Sequence, residues 1–200
     1  MNYFVTAIGT DSGKSVVSAL LVRALDYAYW KPVQAGEPTD TNFIKQVLPD
    51  VTCYPETYKL NTPCSPHEAA RIDGVDILLS QFVVPQQERL IIEGAGGVLV
   101  PINDSNETIV DLITTLDAEC VVVSNHYLGS INHTLLTIEA LKARNIKIKG
   151  IVFNGEENKA TEAIILQQSQ VPFLFRIGIE KQIDDNFFKK YSPLVQKAFL

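Results

Sequence analysis

Residues 3–25, YFVTAIGTDSGKSVVSALLVRAL, contain the pattern that decides the fold. Residues 3–8 are mostly apolar, which predicts a buried β-strand, and residues 14–27 carry apolar side chains at helical spacing. The segment between them is rich in small and polar residues. The sequence therefore predicts a strand, a glycine-containing loop and a helix, in this order.

The loop Gly9–Ser15 is a candidate phosphate-binding loop. Successive backbone N–H groups and a helix N-terminus attract phosphate oxygens. Lys14 would reach the β- and γ-phosphates, and the Ser15 hydroxyl would bind Mg²⁺. The spacing is unusual, because the pattern G-x-x-x-x-G-K-[ST] would place its first glycine at Ile8. A plain glycine-rich turn is the alternative, but the flanking strand and helix favour phosphate binding.

The rest of the chain alternates apolar runs with amphipathic stretches. We predict strands at 28–33, 89–93, 120–124, 149–154 and 173–177, and helices at 40–48, 107–116, 131–143, 158–168 and from about 184. A further helix should begin at Ser65 with a capping box to Glu68, after an irregular connection over 49–64. Apolar strands separated by helices predict a three-layer α/β fold, with helices flanking a mostly parallel central sheet. We expect a single domain over residues 1–200.

The composition narrows the classes of function. A net charge of −6 and a pI of about 5.1 argue against broad contact with nucleic acid or anionic lipid. No apolar stretch is long enough to span a bilayer, and the N-terminus shows no basic start or cleavage site. The 3 cysteines lack C-x-x-C spacing, so we expect neither a disulfide framework nor a zinc site. These features predict a cytoplasmic protein.

Two carboxylates are candidates for binding a metal. Glu93 ends an apolar strand before four small residues, and a carboxylate there needs a cation or hydrogen-bond donors. Asp40 precedes a predicted helix, where helix capping and metal binding both remain open. Ligands of α/β sheets collect at the carboxyl ends of strands, so Ser15, Asp40 and Glu93 could together bind Mg²⁺.

Several segments, taken together and in order, resemble the dethiobiotin synthetase family. They are Tyr3-Phe4-Val5-Thr6, Gly13-Lys14-Ser15, Lys31-Pro32-Val33 with Gly36, Ser65-Pro66-His67, Glu93-Gly94-Ala95-Gly96-Gly97, and Leu128-Gly129-Ser130-Ile131-Asn132-His133. The combination with the last segment is the most specific part of the resemblance, which spans about residues 3–155. The resemblance implies a P-loop NTPase-like fold and an ATP- and Mg²⁺-dependent ligase of biotin biosynthesis.

The resemblance also implies a reaction and an assembly. An amine of 7,8-diaminononanoate takes up CO₂ as a carbamate, and the carbamate oxygen attacks the γ-phosphate of ATP. The second amine then displaces phosphate and closes the ureido ring, which gives dethiobiotin, ADP and phosphate. In the family the substrate carboxylate is held across a dimer interface, so a homodimer is implied.

Residue roles follow from the same resemblance. Lys31, Lys14 and Thr10 would be catalytic, with the lysines flanking the carbamate and the γ-phosphate. The residues implied for binding nucleotide and Mg²⁺ are Asp11, Ser12, Gly13, Lys14, Ser15, Val16, Asp40, Glu93, Gly94, Ala95, Gly96, Asn154 and Gly155. Of these, Asn154 would bind the adenine. The residues implied for binding the diamine are Thr10, Lys31, Ala35, Gly129, Ser130, Ile131 and Asn132.

The chain departs from the family pattern at two positions. Ala35 stands where the family often has serine, so one substrate hydrogen bond is lost or comes from Gln34 or the backbone. Ala163 stands where some members have a tyrosine that helps to bind the substrate carboxylate.

Three other classes share parts of this pattern. A nucleotide-switch ATPase that acts through protein partners has a similar loop, but carries an extra lysine where this chain has Gly9. A glutamine-dependent amidoligase would need a further glutaminase domain. A non-catalytic relative would have no need of the lysines and carboxylates retained here.

Overall fold

A computed structural model describes residues 1–86 and 89–199. The strands are β1 (Tyr3–Ala7), β2 (Ala28–Trp30), β3 (Val33–Ala35), β4 (Cys53–Tyr54), β5 (Tyr58–Leu60), β6 (Leu90–Gly97), β7 (Glu119–Asn125), β8 (Ile148–Asn154) and β9 (Phe173–Ile177). The helices are α1 (Lys14–Leu25), α2 (Asp40–Val47), α3 (Pro66–Asp73), α4 (Ile109–Thr115), α5 (Ser130–Lys142), α6 (Lys159–Ser169) and α7 (Asp185–Phe199), with a short 3₁₀ helix at Leu79–Gln81.

Seven of the strands form one parallel sheet in the order β4-β2-β6-β1-β7-β8-β9. The strands β3 and β5 form a separate parallel pair. The predicted α/β fold with a mostly parallel sheet is confirmed. Because β1 lies in the middle of the sheet, the loop that follows it opens at the centre of the carboxyl edge.

The sheet has an apolar core on each face, because successive strand residues point to opposite sides. Val5 belongs to the core that contains the buried residues of α1 and α7. Phe4 belongs to the core that contains the buried residues of α4. The helices therefore cover both faces, which gives the three predicted layers.

The start of α1 depends on glycine at one position. Gly13 caps this helix with a φ of 93°, in the left-handed region that favours glycine. A Cβ at Gly13 would also collide with the side-chain amide of Asn154 at the end of β8. The loop can therefore pack tightly over the sheet only with glycine at this position.

Three local predictions were wrong. The predicted strand 28–33 is two strands, since the chain leaves the large sheet after Trp30 and β3 pairs with β5. The predicted connection 49–64 contains β4 and β5, which are too short to show periodicity. The predicted capping box is absent, since Ser65 makes no side-chain capping hydrogen bond and the Glu68 carboxylate accepts from the Arg71 guanidinium.

The strand β6 extends further than predicted. It continues through Gly94 to Gly97, where it still pairs with Ala7 of β1. No helix in the described parts of the chain is long and apolar enough to cross a membrane.

Candidate active site

A cleft of about 1010 Å³ lies at the carboxyl ends of β1, β2 and β6. The predicted site residues that line it are Thr10, Asp11, Gly13, Lys14, Ser15, Val16, Lys31, Ala35, Asp40, Glu93, Ala95 and Gly96. The cleft is also lined by residues that were not predicted, from α2 and from the segment that leads into α3: Asn42, Phe43, Gln46, Pro63, Cys64, Ser65 and Pro66. Phosphate-loop and strand-end residues therefore share one cavity.

The pairing of β2 with β6 explains why Lys31 and Glu93 meet. Tyr29 lies beside Ile91 and Trp30 beside Ile92, so Lys31 and Glu93 follow at the same level of the two chains. The Lys31 Nζ lies 3.4 Å from Glu93 Oε1 and donates to the Gly94 carbonyl oxygen at 3.1 Å. Lys31 is 3% exposed and Glu93 is 1% exposed, so this contact is shielded from water.

Ser15 joins the carboxylates of Asp40 and Glu93. Its Oγ lies 2.8 Å from Asp40 Oδ1 and 2.8 Å from Glu93 Oε1. One hydroxyl proton serves only one of these oxygens at a time, which leaves the second contact without a proton. The remaining Asp40 oxygen, Oδ2, lies 2.5 Å from the Lys31 ammonium. Three hard oxygen atoms from three different elements therefore converge.

This oxygen set fits Mg²⁺. Octahedral coordination at about 2.0–2.1 Å places neighbouring ligand oxygens about 2.9 Å apart. The two 2.8 Å distances from Ser15 Oγ match that spacing. Within residues 1–86 and 89–199 there is no group of three or more His, Cys, Asp or Glu side chains arranged for a metal. A site of two carboxylates and one hydroxyl leaves room for phosphate oxygens and water.

The charges of the site reinforce one another. Burial lowers the pKa of Lys31, but Glu93 and Asp40 raise it by more, so its pKa lies above the ordinary value. Burial raises the pKa of Asp40, yet Lys31, the Ser15 hydrogen bond and Lys14 bring it below the ordinary value. The Lys31–Asp40 pair is therefore ionised at neutral pH.

Lys14 is in a different electrostatic position. Burial, and then the charge of Lys31, lower its pKa, against the opposing effect of the nearby carboxylates. Its Nζ donates to the Gly9 carbonyl oxygen at 3.1 Å, within its own loop. Two ammonium groups that repel each other across a buried cleft create a site that favours a multiply charged anion.

The predicted adenine residue lies beneath the phosphate loop. Asn154 ends β8, and its Nδ2 donates to the Ser12 carbonyl oxygen at 3.0 Å. The Ser12 hydroxyl in turn donates to the Gly9 carbonyl oxygen at 3.1 Å. Of the residues predicted to bind nucleotide, Ser12, Gly94, Asn154 and Gly155 are not among those that line the cleft.

Gln34 holds the segment that carries Asp40. Its Oε1 accepts from the Asp40 backbone N–H at 3.1 Å, and its Nε2 donates to the Gly36 carbonyl oxygen at 3.2 Å. Both polar atoms of this side chain are thus engaged within the protein. Of the two sources considered for the hydrogen bond that Ala35 cannot make, the Gln34 side chain is already committed to positioning Asp40.

Tyr29 makes a contact with Glu93 that was not predicted from the sequence. Its hydroxyl donates to Glu93 Oε2 at 3.0 Å, and the residue is fully buried. A buried tyrosine in a strand looks like ordinary core. The available signal was its position two residues before Lys31, on a strand predicted to end at the same edge as Glu93.

The segment Gly129–Asn132 does not line the cleft of a single chain. It forms the start of α5, where Gly129 has a φ of 107°. Ile131 is 36% exposed, and the adjacent Leu128 is fully exposed. The predicted substrate residues therefore fall into two groups, one inside the cleft and one on an apolar surface.

A phosphate loop at the centre of a parallel sheet, with a lysine, a hydroxyl and two carboxylates around it, defines the class of P-loop NTPases. Solved structures agree with this fold. A ParA family ATPase from Chlorobium tepidum TLS has a TM-score of 0.59 at 14% identity, covering 98% of each chain. The septum site-determining protein MinD complexed with Mg-ADP from Pyrococcus horikoshii OT3 has a TM-score of 0.58 at 13% identity, covering 100% of this chain and 93% of that one.

Sequence comparison narrows the class to a family. Residues 1–186 match the model of a family described as AAA domain. The ATP-dependent dethiobiotin synthetase BioD of Cytophaga hutchinsonii is 52% identical over 195 residues, 95% of this chain and 94% of the relative. The BioD of Christiangramia forsetii is 46% identical over 201 residues, 98% of this chain and 96% of the relative. The chain belongs to the dethiobiotin synthetase family.

Proposed function

We propose that this chain is an ATP-dependent dethiobiotin synthetase, which converts 7,8-diaminononanoate, CO₂ and ATP into dethiobiotin, ADP and phosphate. The observation that carries the proposal is the buried contact of Lys31 with Asp40 and Glu93, opposite the phosphate loop. It joins a second lysine to the metal-binding edge of a nucleotide site. That arrangement suits a reaction in which a second anion, the carbamate, must approach the γ-phosphate.

Nucleotide and Mg²⁺ would share the loop and the three converging oxygens. The residues proposed to bind them are Asp11, Ser12, Gly13, Lys14, Ser15, Val16, Asp40, Glu93, Gly94, Ala95, Gly96, Asn154 and Gly155. Ser15, Asp40 and Glu93 would ligate the Mg²⁺, which neutralises charge on the phosphates during transfer. The Nδ2 of Asn154 donates to the Ser12 carbonyl oxygen, and its Oδ1 takes no part in that hydrogen bond. The Oδ1 could therefore accept from the adenine amino group.

The chemistry would proceed in three steps. First, one amine of the diamine forms a bond to the carbon of CO₂ and loses a proton to solvent, which gives the carbamate. A carbamate oxygen forms a bond to the γ-phosphorus while the bond to the β-phosphate oxygen breaks, which releases ADP. The second amine then attacks the carbamoyl carbon, the bond to the phosphate oxygen breaks, and the amine proton leaves to solvent or phosphate. The phosphoryl transfer brings two negatively charged reactants together, and the ring closure needs the uncharged second amine held beside the carbamoyl carbon. Positioning and charge neutralisation should therefore dominate the catalysis.

Three residues would act on the reacting groups. Lys31 is held as an ammonium by two carboxylates, and Mg²⁺ would take up part of the charge of these carboxylates. Its Nζ could then turn its donors to the carbamate. Lys14 would move from the Gly9 carbonyl oxygen to the phosphates, and the lowered pKa of its buried ammonium makes pairing with an anion more favourable. Thr10, on the exposed rim, would donate to the carbamate or the γ-phosphate.

The substrate carboxylate would be bound by a second copy of the chain. The first-turn N–H groups of a helix attract anions, and Gly129, Ser130, Ile131 and Asn132 open α5. The surface beside them exposes Tyr127, Leu128, Ile131 and Leu136, which suits a homodimer interface. In this arrangement Thr10, Lys31 and the backbone at Ala35 would hold the diamine end.

The proposal also includes one domain and a cytoplasmic location, where ATP and bicarbonate are supplied. The net charge of −6 supports small-molecule partners over nucleic acid or anionic membrane. The partitioning ATPases share the fold at 10–14% identity, which supports no statement about partners.

The test is ADP release by the purified protein with Mg²⁺-ATP and bicarbonate, with and without 7,8-diaminononanoate. We expect ADP release to depend on the diamine and to match the dethiobiotin detected by mass spectrometry. Isotope-labelled bicarbonate should place its label in the ureido carbon. ATP hydrolysis that ignores the diamine would overturn the proposal and favour a nucleotide switch.

A further inference from the structure

The two oxygens of the Glu93 carboxylate have different partners, and Tyr29 binds one of them. The Tyr29 hydroxyl donates to Oε2 at 3.0 Å. The other oxygen, Oε1, lies 2.8 Å from Ser15 Oγ and 3.4 Å from Lys31 Nζ. One oxygen therefore faces the candidate metal site, while the other is tied to the core of the protein.

The tyrosine is well placed to keep this contact. It is fully buried in the core that also contains Ile91 and the apolar residues of α1, so its ring has little freedom to turn. A buried hydroxyl without a partner would be costly, and Glu93 supplies that partner. Within that contact the Tyr29 hydroxyl is the donor and Glu93 Oε2 is the acceptor.

The number of free oxygens on a carboxylate affects which cation it binds. Mg²⁺ takes about six ligands in a tight octahedron and usually one oxygen from each carboxylate. Ca²⁺ takes about six to eight ligands and readily accepts both oxygens of one carboxylate. A carboxylate with one oxygen already hydrogen-bonded in the core can bind a cation through its other oxygen. It is less able to bind a cation through both oxygens at once.

We propose that Tyr29 is a positioning residue that acts through Glu93 and makes the nucleotide site selective for Mg²⁺ over Ca²⁺. The proposal rests on the Mg²⁺-ATP function proposed above. Tyr29 does not touch the metal, the nucleotide or the reacting atoms. It fixes the rotation of the Glu93 carboxylate, so that Oε1 alone is presented toward Ser15.

The first test is Tyr29→Phe, which removes one hydroxyl and keeps the ring. Mg²⁺ and Ca²⁺ are titrated separately into the full-length protein with ADP, and nucleotide binding is followed by calorimetry. We expect the Mg²⁺ affinity to fall about 10-fold, as for loss of a hydrogen bond to a metal ligand. The Ca²⁺ affinity should hold or rise, so the Mg²⁺/Ca²⁺ ratio falls.

The matched control is Tyr3→Phe. Tyr3 is a buried tyrosine of the same core cluster, at the start of β1 and away from the carboxyl edge of the sheet. The Tyr3→Phe variant should bind Mg²⁺ and Ca²⁺ with the affinities of the unaltered protein. The proposal would be overturned if the Tyr29→Phe variant had the same Mg²⁺ affinity and the same Ca²⁺ affinity as the Tyr3→Phe variant.

A double-mutant cycle separates positioning from general weakening. Glu93→Gln alone should weaken Mg²⁺ binding, because a ligand charge is lost. If Tyr29 acts through Glu93, adding Tyr29→Phe to Glu93→Gln should change the Mg²⁺ affinity little further. A full additional loss in the double variant would show that Tyr29 acts elsewhere, and would also overturn the proposal.

A second measurement does not depend on any variant folding. In a crystal structure of the unaltered protein with Mg²⁺-ADP, Glu93 should face the metal with Oε1 while Oε2 keeps the Tyr29 hydrogen bond. Binding through both oxygens, or loss of the Tyr29 contact, would contradict the proposal. These experiments use no diamine, so a protein that binds Mg²⁺-ADP selectively but makes no dethiobiotin would refute only the proposed reaction.

Discussion

Two regions of the molecule hold predicted site residues, and they differ in how far a single chain completes them. Around β1, β2 and β6, the side chains of Ser15, Lys31, Asp40 and Glu93 are linked by contacts of 2.5–3.4 Å. At the start of α5, the residues Gly129–Asn132 lie outside the cleft and beside an exposed leucine. The proposed reaction centre is thus brought together within one chain, whereas the proposed carboxylate-binding residues lie apart from it.

Burial explains the difference. Charged groups that fold into the interior must find partners within the same chain, or the fold loses stability. Apolar groups at a surface, such as Leu128, can instead be satisfied by association with another molecule. The contacts of the first region can therefore be described from one chain, and the second region is where the proposed homodimer would form.

The largest expected effect comes from breaking the first region at Lys31. Lys31→Ala should lower turnover about 100- to 1,000-fold, as for loss of one group that stabilises developing charge in a transition state. ATP should still bind, because Lys14 and the loop amides remain and Mg²⁺ can neutralise Asp40 and Glu93. Turnover is followed by dethiobiotin formation and binding by a fluorescent nucleotide.

The matched control is Lys59→Ala. Lys59 is half exposed and forms a surface pair with Glu37, so its loss should leave turnover near that of the unaltered protein. Unchanged turnover in Lys31→Ala would remove Lys31 from the mechanism. The reaction centre would then consist of the phosphate loop and its metal ligands alone.

A smaller effect is expected from breaking the second region at Leu128. Leu128→Asp places a charge on the exposed apolar surface beside Gly129 and should dissociate the proposed homodimer. The KM for the diamine should rise about 10-fold or more, because one of its two ends loses its binding site. Nucleotide affinity should stay unchanged. Light scattering reports the assembly, and steady-state kinetics report the KM.

Leu194→Asp is the control for this change. Leu194 is a partly exposed leucine of α7, on another part of the surface. The Leu194→Asp variant should have the same assembly state and the same KM for the diamine as the unaltered protein. A Leu128→Asp variant that remains dimeric and binds the diamine normally would contradict the division of the site between two chains.

The sequence predicts best what depends on short stretches of chain. The phosphate loop Gly9–Ser15 lies where its flanking strand and helix predict it. Glu93 lies in the cleft, as predicted, although β6 continues past it to Gly97. In both cases a few neighbouring residues determine the environment, so local patterns are enough.

What depends on the pairing of distant segments was not predictable. Tyr29 meets Glu93 only because β2 and β6 pair in one particular register. Ser15 meets Asp40 and Glu93 only because α1, α2 and β6 come together in the folded chain. The short strands β4 and β5 carry too few residues for a periodic signal, and they form through contacts made elsewhere in the fold.

The smallest expected effect concerns Glu162 on α6, which lies outside the cleft. Glu162 is buried and accepts from the Arg176 guanidinium, from His126 Nε2 at 2.8 Å and from the Asn158 backbone N–H at 3.2 Å. Burial raises the pKa of Glu162, but the hydrogen bonds from Arg176 and His126 bring it below its ordinary value of 4.5. The ionised carboxylate is therefore stabilised more in the folded chain than in the unfolded one.

Arg176→Met should lower the free energy of unfolding by about 1 to 2 kcal/mol at pH 7, because hydrogen bonds to a buried charge are lost. Since the pKa of Glu162 is depressed by folding, its contribution is present above pH 4.5 and disappears as the pH falls through the folded value. The difference between variant and unaltered protein should therefore shrink below pH 4.5, as measured by urea unfolding across pH. Arg71→Met, which breaks a similar but exposed pair with Glu68, should change stability little at any pH. Equal effects in the two variants would show that the Arg176 contact contributes no more to stability than an exposed surface pair.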